Sequence, residues 1–116
     1  QSGNDNILIG NNVGLGLIGG NFNILIGHNI EFDNESKTNY MNIGNVIYGQ
    51  LGNRLVGIRV ENPTARLHVA GGTAGTPQIK LEPGTLTTTL HPGSLEYDGE
   101  NLYFTVPGKR INLTNQ

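Results

Sequence analysis

Two nearly identical stretches, seventeen residues apart, constrain the fold of this chain more than any other feature. NILIGNNV begins at Asn6 and NILIGHNI begins at Asn23. A further step of seventeen reaches the segment MNIGNVI at Met41, which keeps the arrangement of apolar residues, asparagine and glycine. A fixed period of this length is typical of a solenoid, in which each repeat buries its apolar face by stacking on the next.

The 17-residue alignment predicts which residues stack on one another. The six columns are Ile7/Ile24/Met41, Leu8/Leu25/Asn42, Ile9/Ile26/Ile43, Gly10/Gly27/Gly44, Asn11/His28/Asn45 and Val13/Ile30/Ile47. Strand geometry directs the first and third columns to one side and the second to the other, and the glycine permits a sharp corner. Stacked asparagines at equivalent corners are expected to form hydrogen-bonded ladders. Chance similarity between two unrelated strands is the alternative.

Composition supports an all-β fold that is not complete as one chain. The 18 glycines and 16 asparagines among 116 residues favour tight turns and positive-φ positions over long helices. The hydrophobic content of 35% is low for a self-sufficient core. Burial of apolar surface between identical chains would compensate for this shortfall.

Charge and residue usage exclude several kinds of partner. The net charge of −2 and the pI of about 5.8 indicate no basic surface for a polyanion, so nucleic acid is not expected as a partner. The chain has no cysteine and hence no disulfide or thiolate metal site. No apolar run approaches the ~20 residues that span a bilayer, so no membrane insertion is expected. Because the first residue is Gln, we expect a fragment or a processed product.

A change of composition near residue 60 predicts two modules. All five prolines lie beyond residue 61, whereas most of the glycine and asparagine lies before it. We therefore expect a Gly/Asn-rich repeat module over residues 1–61 and a module of short strands over residues 62–116. The candidate strands of the second module are ARLHV, QIKL, LTTTL, SLEY, NLYFTV and RINL, which Gly, Pro and Thr clusters separate.

The last part of the chain carries the clearest turn signals. Asp98-Gly99 predicts a β-hairpin, and Pro107-Gly108 predicts a second turn into the final strand. The result is a three-stranded meander. Leu102, Phe104 and Val106 would share one face of it, with Leu95 and Tyr97 as their cross-strand partners.

Residues with catalytic or metal-binding chemistry form no convincing constellation. His28, His68 and His91 lack the spacing of a metal site. The acidic groups Glu31/Asp33/Glu35 and Glu96/Asp98/Glu100 are interpreted as a polar loop and a solvated hairpin turn, respectively. No serine lies in a nucleophile elbow, and no glycine-rich segment has the setting of a phosphate loop. We therefore expect no catalytic residue, no cofactor and no bound metal.

The segment Ile58–Thr105 resembles a segment common in bacteriophage tail fibres and related appendages. The matching residues are Asn62–Ala65, Leu67–Val69, Gly84–Thr89 and Pro92–Thr105. The ILIGNNV repeat is similar, more generically, to the β-roll repeats of trimeric adhesin heads. Both resemblances imply a parallel homotrimer wrapped about a common axis, and attachment to a bacterial or host surface.

The resemblance therefore implies a specific architecture and role. The fold would be an elongated all-β homotrimeric fibre, with β-roll or β-helix-like repeats followed by an intertwined β-prism or meander. Because no receptor-binding tip or chaperone domain is recognisable, the chain would be a structural segment of an extracellular virion tail fibre. Its partners would be other tail proteins. The candidate residues for the trimer core are Ile9, Ile26, Ile43, Leu102 and Phe104.

Two other functions remain open. A direct adhesin module would bind a bacterial surface glycan or protein through the polar loop Glu31–Tyr40, where Phe32, Asp33 and Tyr40 are the candidate residues. An enzyme is the second alternative, because IGNNV and IGHNI also resemble the hexapeptide repeats of left-handed β-helix acyltransferases. His28 would be the base there, although that family uses a coil of 18 residues and this chain repeats at 17.

Overall fold

The fold is all-β. The computed structural model describes residues 3–115, except for the side chains of residues 33–35. This part of the chain contains nine strands in two sheets and no helix. The chain divides into two compact units, Gln1–Gln78 and Ile79–Gln116, which we call the repeat unit and the meander unit.

The repeat unit contains a six-stranded sheet whose spatial order follows the chain order. Its strands are β1 (Ile7–Leu17), β2 (Ile24–Glu35), β3 (Tyr40–Ile43), β4 (Ile47–Gln50), β5 (Leu55–Ile58) and β6 (Leu67–Val69). Strands β1 to β3 are parallel, β4 is antiparallel to both of its neighbours, and β6 is parallel to β5. Because β6 pairs with β5, the unit extends to residue 78, beyond the change of composition at residue 61.

The three parallel strands pair at the 17-residue spacing of the sequence repeat. Across all three strands the partners are Ile7–Ile24–Met41, Leu8–Leu25–Asn42 and Ile9–Ile26–Ile43. Across the first two strands they are Gly10–Gly27, Asn11–His28 and Val13–Ile30. These pairs confirm the columns predicted from the sequence. We refer to residues 3–19 and 20–36 as the first and second repeats; the third begins at residue 37.

The third repeat departs from the pattern after β3. Gly44 and Asn45 both have φ near +60° and reverse the chain. The Asn45 N–H donates to Asn42 Oδ1 at 2.8 Å, and Ile47 then pairs with Ile43 in the antiparallel strand β4. The predicted stacking of Asn45 and Ile47 on the second repeat is therefore wrong.

The second repeat contains more strand than its polarity indicates. The segment Glu31–Tyr40 was expected to be a loop, but β2 continues to Glu35. Its last residues pair with the end of β1, where Leu15 lies opposite Glu31 and Leu17 lies opposite Glu35. Backbone pairing with an existing strand outweighs the low strand propensity of the acidic side chains here.

The core of the repeat unit lies on the side to which Leu8 and Leu25 point. Its buried apolar side chains are Leu17, Leu25, Ile30 and Tyr40, and Leu8, Val13, Phe32 and Tyr48 pack against them partly buried. Full burial of a side chain of this size contributes about 1.5–3 kcal/mol. So small a core leaves little margin for a single chain.

Close stacking of the repeats requires glycine at positions 3, 10 and 20, each of which faces a backbone carbonyl oxygen of the next repeat. A Cβ atom on Gly10 would overlap the carbonyl oxygen of Gly27, and one on Gly20 would overlap the carbonyl oxygen of Lys37. Because a carbonyl in a paired sheet cannot move aside cheaply, any larger residue at these positions would push the repeats apart.

Asparagine ladders connect the repeats, as the sequence predicts. Asn12 Nδ2 donates to Asn29 Oδ1 at 3.0 Å. The second ladder is fully buried at Asn23, whose backbone N–H and Nδ2 both donate to Asn6 Oδ1 at 3.0 Å. Asn23 Oδ1 in turn accepts the Tyr40 N–H at 2.9 Å. One side chain thus links three successive repeats.

Replacing Asn23 by alanine is expected to destabilise the repeat unit by about 2–3 kcal/mol. The change removes the acceptor of the buried Tyr40 N–H and the donor to the Lys37 carbonyl, a bond of 2.7 Å. Chemical denaturation would measure the loss. The matched control is Asn11→Ala, which removes an exposed amide from the neighbouring strand and should change stability by less than about 0.5 kcal/mol. Equal losses in the two variants would contradict a structural ladder.

The meander unit contains the three-stranded antiparallel sheet that the turn signals predict. Its strands are β7 (Leu95–Tyr97), β8 (Leu102–Val106) and β9 (Lys109–Asn112). Leu95 lies opposite Phe104 and Tyr97 lies opposite Leu102, as expected. Asp98 closes the first turn by accepting the backbone N–H groups of Glu100 and Asn101.

Two of the predicted strands do not form. QIKL and LTTTL, at residues 78–81 and 86–90, have no strand structure. Their leucine, isoleucine and threonine content favours a strand, but the segments pair with no neighbouring strand. Single hydrogen bonds hold this part of the chain instead, such as the Gly84 N–H donating to the Tyr97 carbonyl at 2.9 Å.

A polar clamp fastens the segment around Thr87 to the meander. The Thr87 N–H donates to Glu96 Oε1 at 2.9 Å, and Arg110 Nε donates to Glu96 Oε2 at 3.2 Å. Arg110 Nη2 also donates to the carbonyl and hydroxyl oxygens of Thr87, at 2.6 and 3.0 Å. The Thr87 N–H, and secondarily the Arg110 charge, hold the pKa of Glu96 below its ordinary value.

The clamp makes the meander unit sensitive to acid. Because the pKa of Glu96 is lower in the folded state, its contribution is complete above the unfolded value of ~4.3 and is lost as the pH falls through the folded value. We expect the Thr87 amide resonance to lose dispersion and exchange protection below about pH 4. Glu96→Gln should weaken this protection at neutral pH and flatten its pH dependence. The exposed carboxylate Glu100 provides the control, because Glu100→Gln should leave the profile unchanged.

Candidate functional site

One face of the six-stranded sheet carries two apolar rows that cross every strand. The pairing register places the members of each row opposite one another on successive strands. The first row is Ile7, Ile24, Met41, Gly49, Val56 and Leu67, and the second row is Ile9, Ile26, Ile43, Ile47, Ile58 and Val69. Apart from Gly49, every member has an aliphatic side chain, so neither row contains a charge or a hydrogen-bonding side chain.

The apolar rows lie outside the core. They project from the face opposite Leu8 and Leu25, because successive side chains of a strand alternate between faces. Ile7, Ile9 and Leu67 are 50%, 56% and 61% exposed, and the other side chains of the rows are partly exposed. Among the strands of the repeat unit, backbone contacts join only neighbours in the sheet. A continuous apolar surface of this kind is typical of a protein–protein interface.

The rows contain three of the five residues that the sequence predicts for a trimer core. Ile9, Ile26 and Ile43 form the first half of the second row. Sequence reasoning missed the other half, which is Ile47, Ile58 and Val69. Ile58 and Val69 lie beyond the repeat, and the 17-residue spacing placed Ile47 opposite Ile30 instead of Ile43, so it could not find this half of the row. The only available signal was the period-two alternation of IYG and VGI around Gly49 and Gly57.

The meander unit has no apolar core of its own within residues 79–115. The one buried residue in this range is Thr105. Leu95 and Phe104, which pair across β7 and β8, are 49% and 37% exposed. Phe104, one of the predicted core residues, therefore lies on a partly uncovered face, and Leu102 is only partly buried.

The predicted surface loop forms a compact aromatic and charged cluster instead of an open platform. The rings of Phe32 and Tyr40 meet edge to face, with centroids 5.6 Å apart. Lys37 Nζ lies 4.4 Å from the Tyr40 ring centroid and 5.3 Å from that of Phe32. Glu61 Oε1 accepts the Tyr40 hydroxyl at 3.2 Å and lies 3.5 Å from Lys37 Nζ. A sugar ring would have to displace Lys37 in order to stack on this face of Tyr40.

This cluster borders a polar cleft of about 270 Å³ that Asn42, Asn45 and Tyr48 also line. Burial, and then the Glu61 carboxylate, raise the pKa of Tyr40 above its ordinary value, so its hydroxyl stays a donor. The side chain of Asp33, the third residue predicted for this loop, lies outside the described part of the structure.

The structure assembles no catalytic constellation around the histidines. His28 is exposed and lies opposite Asn11 in the repeat. His68 Nδ1 accepts the Thr64 N–H at 3.0 Å, within a local turn. The described residues hold no group of three or more histidine and acidic side chains placed to bind a metal ion.

Comparison with known proteins identifies no relative. No protein-family model matches the chain, and no curated protein or solved structure is significantly similar to it. None of the described residues belongs to a helix long and apolar enough to cross a lipid bilayer.

Proposed function

We propose that this chain is a structural segment of a homotrimeric bacteriophage tail fibre or tail appendage, which supports attachment to the host cell surface. The two uncovered apolar rows on the six-stranded sheet carry the proposal. In the assembled fibre the rows of three chains pack together about a common axis.

The shape of the rows is compatible with three-fold packing. They are two residues wide, or about 7 Å along the strands, and they cross six strands spaced ~4.8 Å apart. The apolar surface is therefore a narrow stripe that runs in the stacking direction of the repeats. Three such stripes around a parallel axis seal one another, and the repeats then stack along the axis as a β-roll or β-helix-like shaft.

The meander unit needs partners for the same reason. Leu95 and Phe104 leave a partly exposed apolar face on a sheet with no buried apolar side chain beneath it in the described residues. Burial of apolar surface stabilises an assembly by about 25 cal/mol per Å². Intertwining three meanders as a β-prism would give this unit a core, with Leu102 and Phe104 inside it.

The resemblance of Ile58–Thr105 to tail-fibre segments supplies the biological setting. On this proposal the chain is an extracellular component of the virion and contacts other tail proteins. The proposal assigns the chain a structural role, in keeping with the hydrogen bonds of the asparagine ladders, the Glu96 clamp and the turn at Asp98.

Mass measurement in solution tests the proposal. Light scattering or sedimentation equilibrium should give three times the 12.4 kDa mass of one chain, and electron microscopy of the assembled particle should show a thin three-fold rod. A monodisperse monomer at all accessible concentrations would remove the basis for the fibre.

The polar cleft beside Tyr48 supports a second candidate, direct binding of a surface glycan or protein receptor. Asn45 and Glu61 are exposed polar residues that line it, and Tyr48 offers a partly exposed ring. A glycan array probed with the trimer tests this function. Binding that Tyr48→Ala abolishes would support it, and an empty array would leave the structural role.

A further inference from the structure

Within residues 3–115 the outer edge of β1 pairs with no strand, although it has the same pattern of groups that joins the repeats inside the sheet. β1 is the first strand in the order of the described sheet, and it pairs with β2 on its inner side. The far side of the parallel set is different, because β4 covers β3. The stack of repeats is therefore closed at one end and open at the other.

Each repeat directs backbone donors at the repeat before it. The Phe22 N–H donates to the Asn4 carbonyl at 3.2 Å, and the Asn39 N–H donates to the Asn21 carbonyl at 3.0 Å. Asp5 is the equivalent residue in the first repeat. Its N–H makes no bond within the described chain, and the residue is exposed.

A third ladder, through Asn4, Asn21 and Thr38, shows the same open end. The Asn4 N–H donates to Asn21 Oδ1 at 2.7 Å, and the Asn21 N–H donates to Thr38 Oγ1 at 3.3 Å. In this column the side-chain oxygen of each repeat accepts the backbone N–H of the repeat that precedes it in the chain. The Asn4 side chain occupies that position at the top of the stack, is exposed, and has no hydrogen bond to the residues that the structure covers.

The second ladder is open too, with the roles reversed. The Asn23 N–H donates to Asn6 Oδ1 and the Tyr40 N–H donates to Asn23 Oδ1. The Asn6 N–H is the top donor of this column and has no acceptor in the described part of the chain. The edge thus presents a free acceptor at Asn4 and free donors at Asp5 and Asn6 in fixed register.

The shape of the stack restricts what fits on this edge. The first repeat approaches the second closely because Gly3 and Gly10 face the carbonyl oxygens of Gly20 and Gly27. A strand that docks on β1 in the same geometry must carry glycine at the two equivalent positions. It must also carry asparagine at the position equivalent to Asn6, where a side-chain oxygen accepts the N–H of the following repeat. The inward position two residues later must hold a residue that fits the core, which is leucine in the first two repeats.

We propose that the outer edge of β1 is a docking site for a partner strand with the sequence pattern Gly-x-x-Asn-x-Leu-x-Gly, added in parallel and at the register of a further repeat. The Asn4 side chain would accept a backbone N–H of that strand, and Asp5 and Asn6 would donate to it. This inference does not depend on three-fold assembly.

A second copy of this chain does not meet the requirement. Its other edge strand, β6, runs in the right direction, because β5 and β6 are parallel to β3. In the register of the sheet, however, Ala70 follows Val69 where the fit needs glycine, and Arg66 precedes Leu67 where it needs asparagine. The Ala70 Cβ would meet the carbonyl oxygen of Gly10.

Hydrogen exchange of the full chain tests the proposal, with a synthetic peptide of residues 20–31 as the probe. Bound peptide should slow exchange of the Asp5, Asn6 and Gly10 amides. Gly10 belongs here because its equivalent in the third repeat, Gly44, donates its N–H to the Ile26 carbonyl of the repeat before it, at 2.8 Å. The same peptide with its second glycine replaced by alanine should bind at least about tenfold more weakly. A fusion protein avoids the weak affinity of a free peptide. A 17-residue repeat fused in register ahead of the chain should slow the same three amides.

Substitutions in the protein identify the contacts. Asn4→Ala should leave the stability of the free chain unchanged, because its side chain has no bond there to lose, but should weaken peptide binding about three- to tenfold. Asn53→Ala, an exposed amide in the turn before β5, should alter neither. The proposal is overturned if neither peptide nor fused repeat slows the three amides, or if the alanine peptide binds equally well. Protection that appears without peptide and rises with protein concentration would assign the edge to a second copy instead.

Discussion

Replacing Ile9 by aspartate is expected to dissociate the proposed trimer into monomers. Ile9 is 56% exposed in one chain, so the change should cost the fold of a single protomer little. In the trimer the three carboxylates would be brought together in an apolar stripe, where burying each charge costs several kcal/mol. Light scattering should show a fall from three chain masses to one.

A charge added elsewhere on the same sheet separates this effect from a change in net charge. Asn29 is exposed, adopts a positive φ that aspartate tolerates, and accepts a hydrogen bond from Asn12 through its side-chain oxygen. Asn29→Asp therefore keeps the ladder and should remain trimeric. If Ile9→Asp stays trimeric as well, the apolar rows are not the interface, even if a trimer exists.

Replacing Gly20 by alanine is expected to unfold the repeat unit at a much lower temperature. The new methyl group would overlap the Lys37 carbonyl oxygen, and it would also press on Leu17 and Asn23 in the core. The backbone of Gly20 lies outside the left-handed region, so the effect is one of space and not of φ. We expect a loss of about 4 kcal/mol or more, which lowers the melting temperature by about 15 °C or more.

Gly75→Ala is the matched control in the same unit. A Cβ at this position would meet no atom within 4 Å, and its φ is also ordinary. The variant should melt within a few degrees of the parent protein, as a change of about 0.5 kcal/mol or less implies. Scanning calorimetry of the two variants side by side would decide. Equal melting temperatures would contradict close packing of the repeats.

The register of the parallel strands could be predicted because the repeat specifies it twice. Apolar columns define which face is buried, and asparagine and glycine columns fix the alignment along the strand. Nothing comparable marks the reversal at Gly44 and Asn45, since both residues also occur at corners that continue the stack. The antiparallel strands β4 and β5, and with them half of the second apolar row, therefore could not be derived from the period.

The failures in the second half of the chain have a different cause. Strand propensity in QIKL and LTTTL is real, but a strand forms only where a pairing partner is available, and the sequence does not show where partners lie. The clamp of Thr87, Glu96 and Arg110 joins residues far apart in sequence and carries no local signature. By contrast, the Asp98-Gly99 turn is a local signal, and it predicted the meander correctly.

The in-register pairing of equal repeats also has a consequence for how such a protein changes over time. The backbone-to-side-chain ladder bonds and the closest glycine contacts join residues seventeen positions apart. The side-chain bonds of Asn6 to Gly20 and of Asn23 to Lys37 recur fourteen positions apart in both repeats. Duplicating or deleting one 17-residue unit in the gene would therefore recreate the same contacts, and would alter the length of the stack by a single step of ~4.8 Å. A molecule built on this plan can be tuned as a spacer without redesigning any of its contacts.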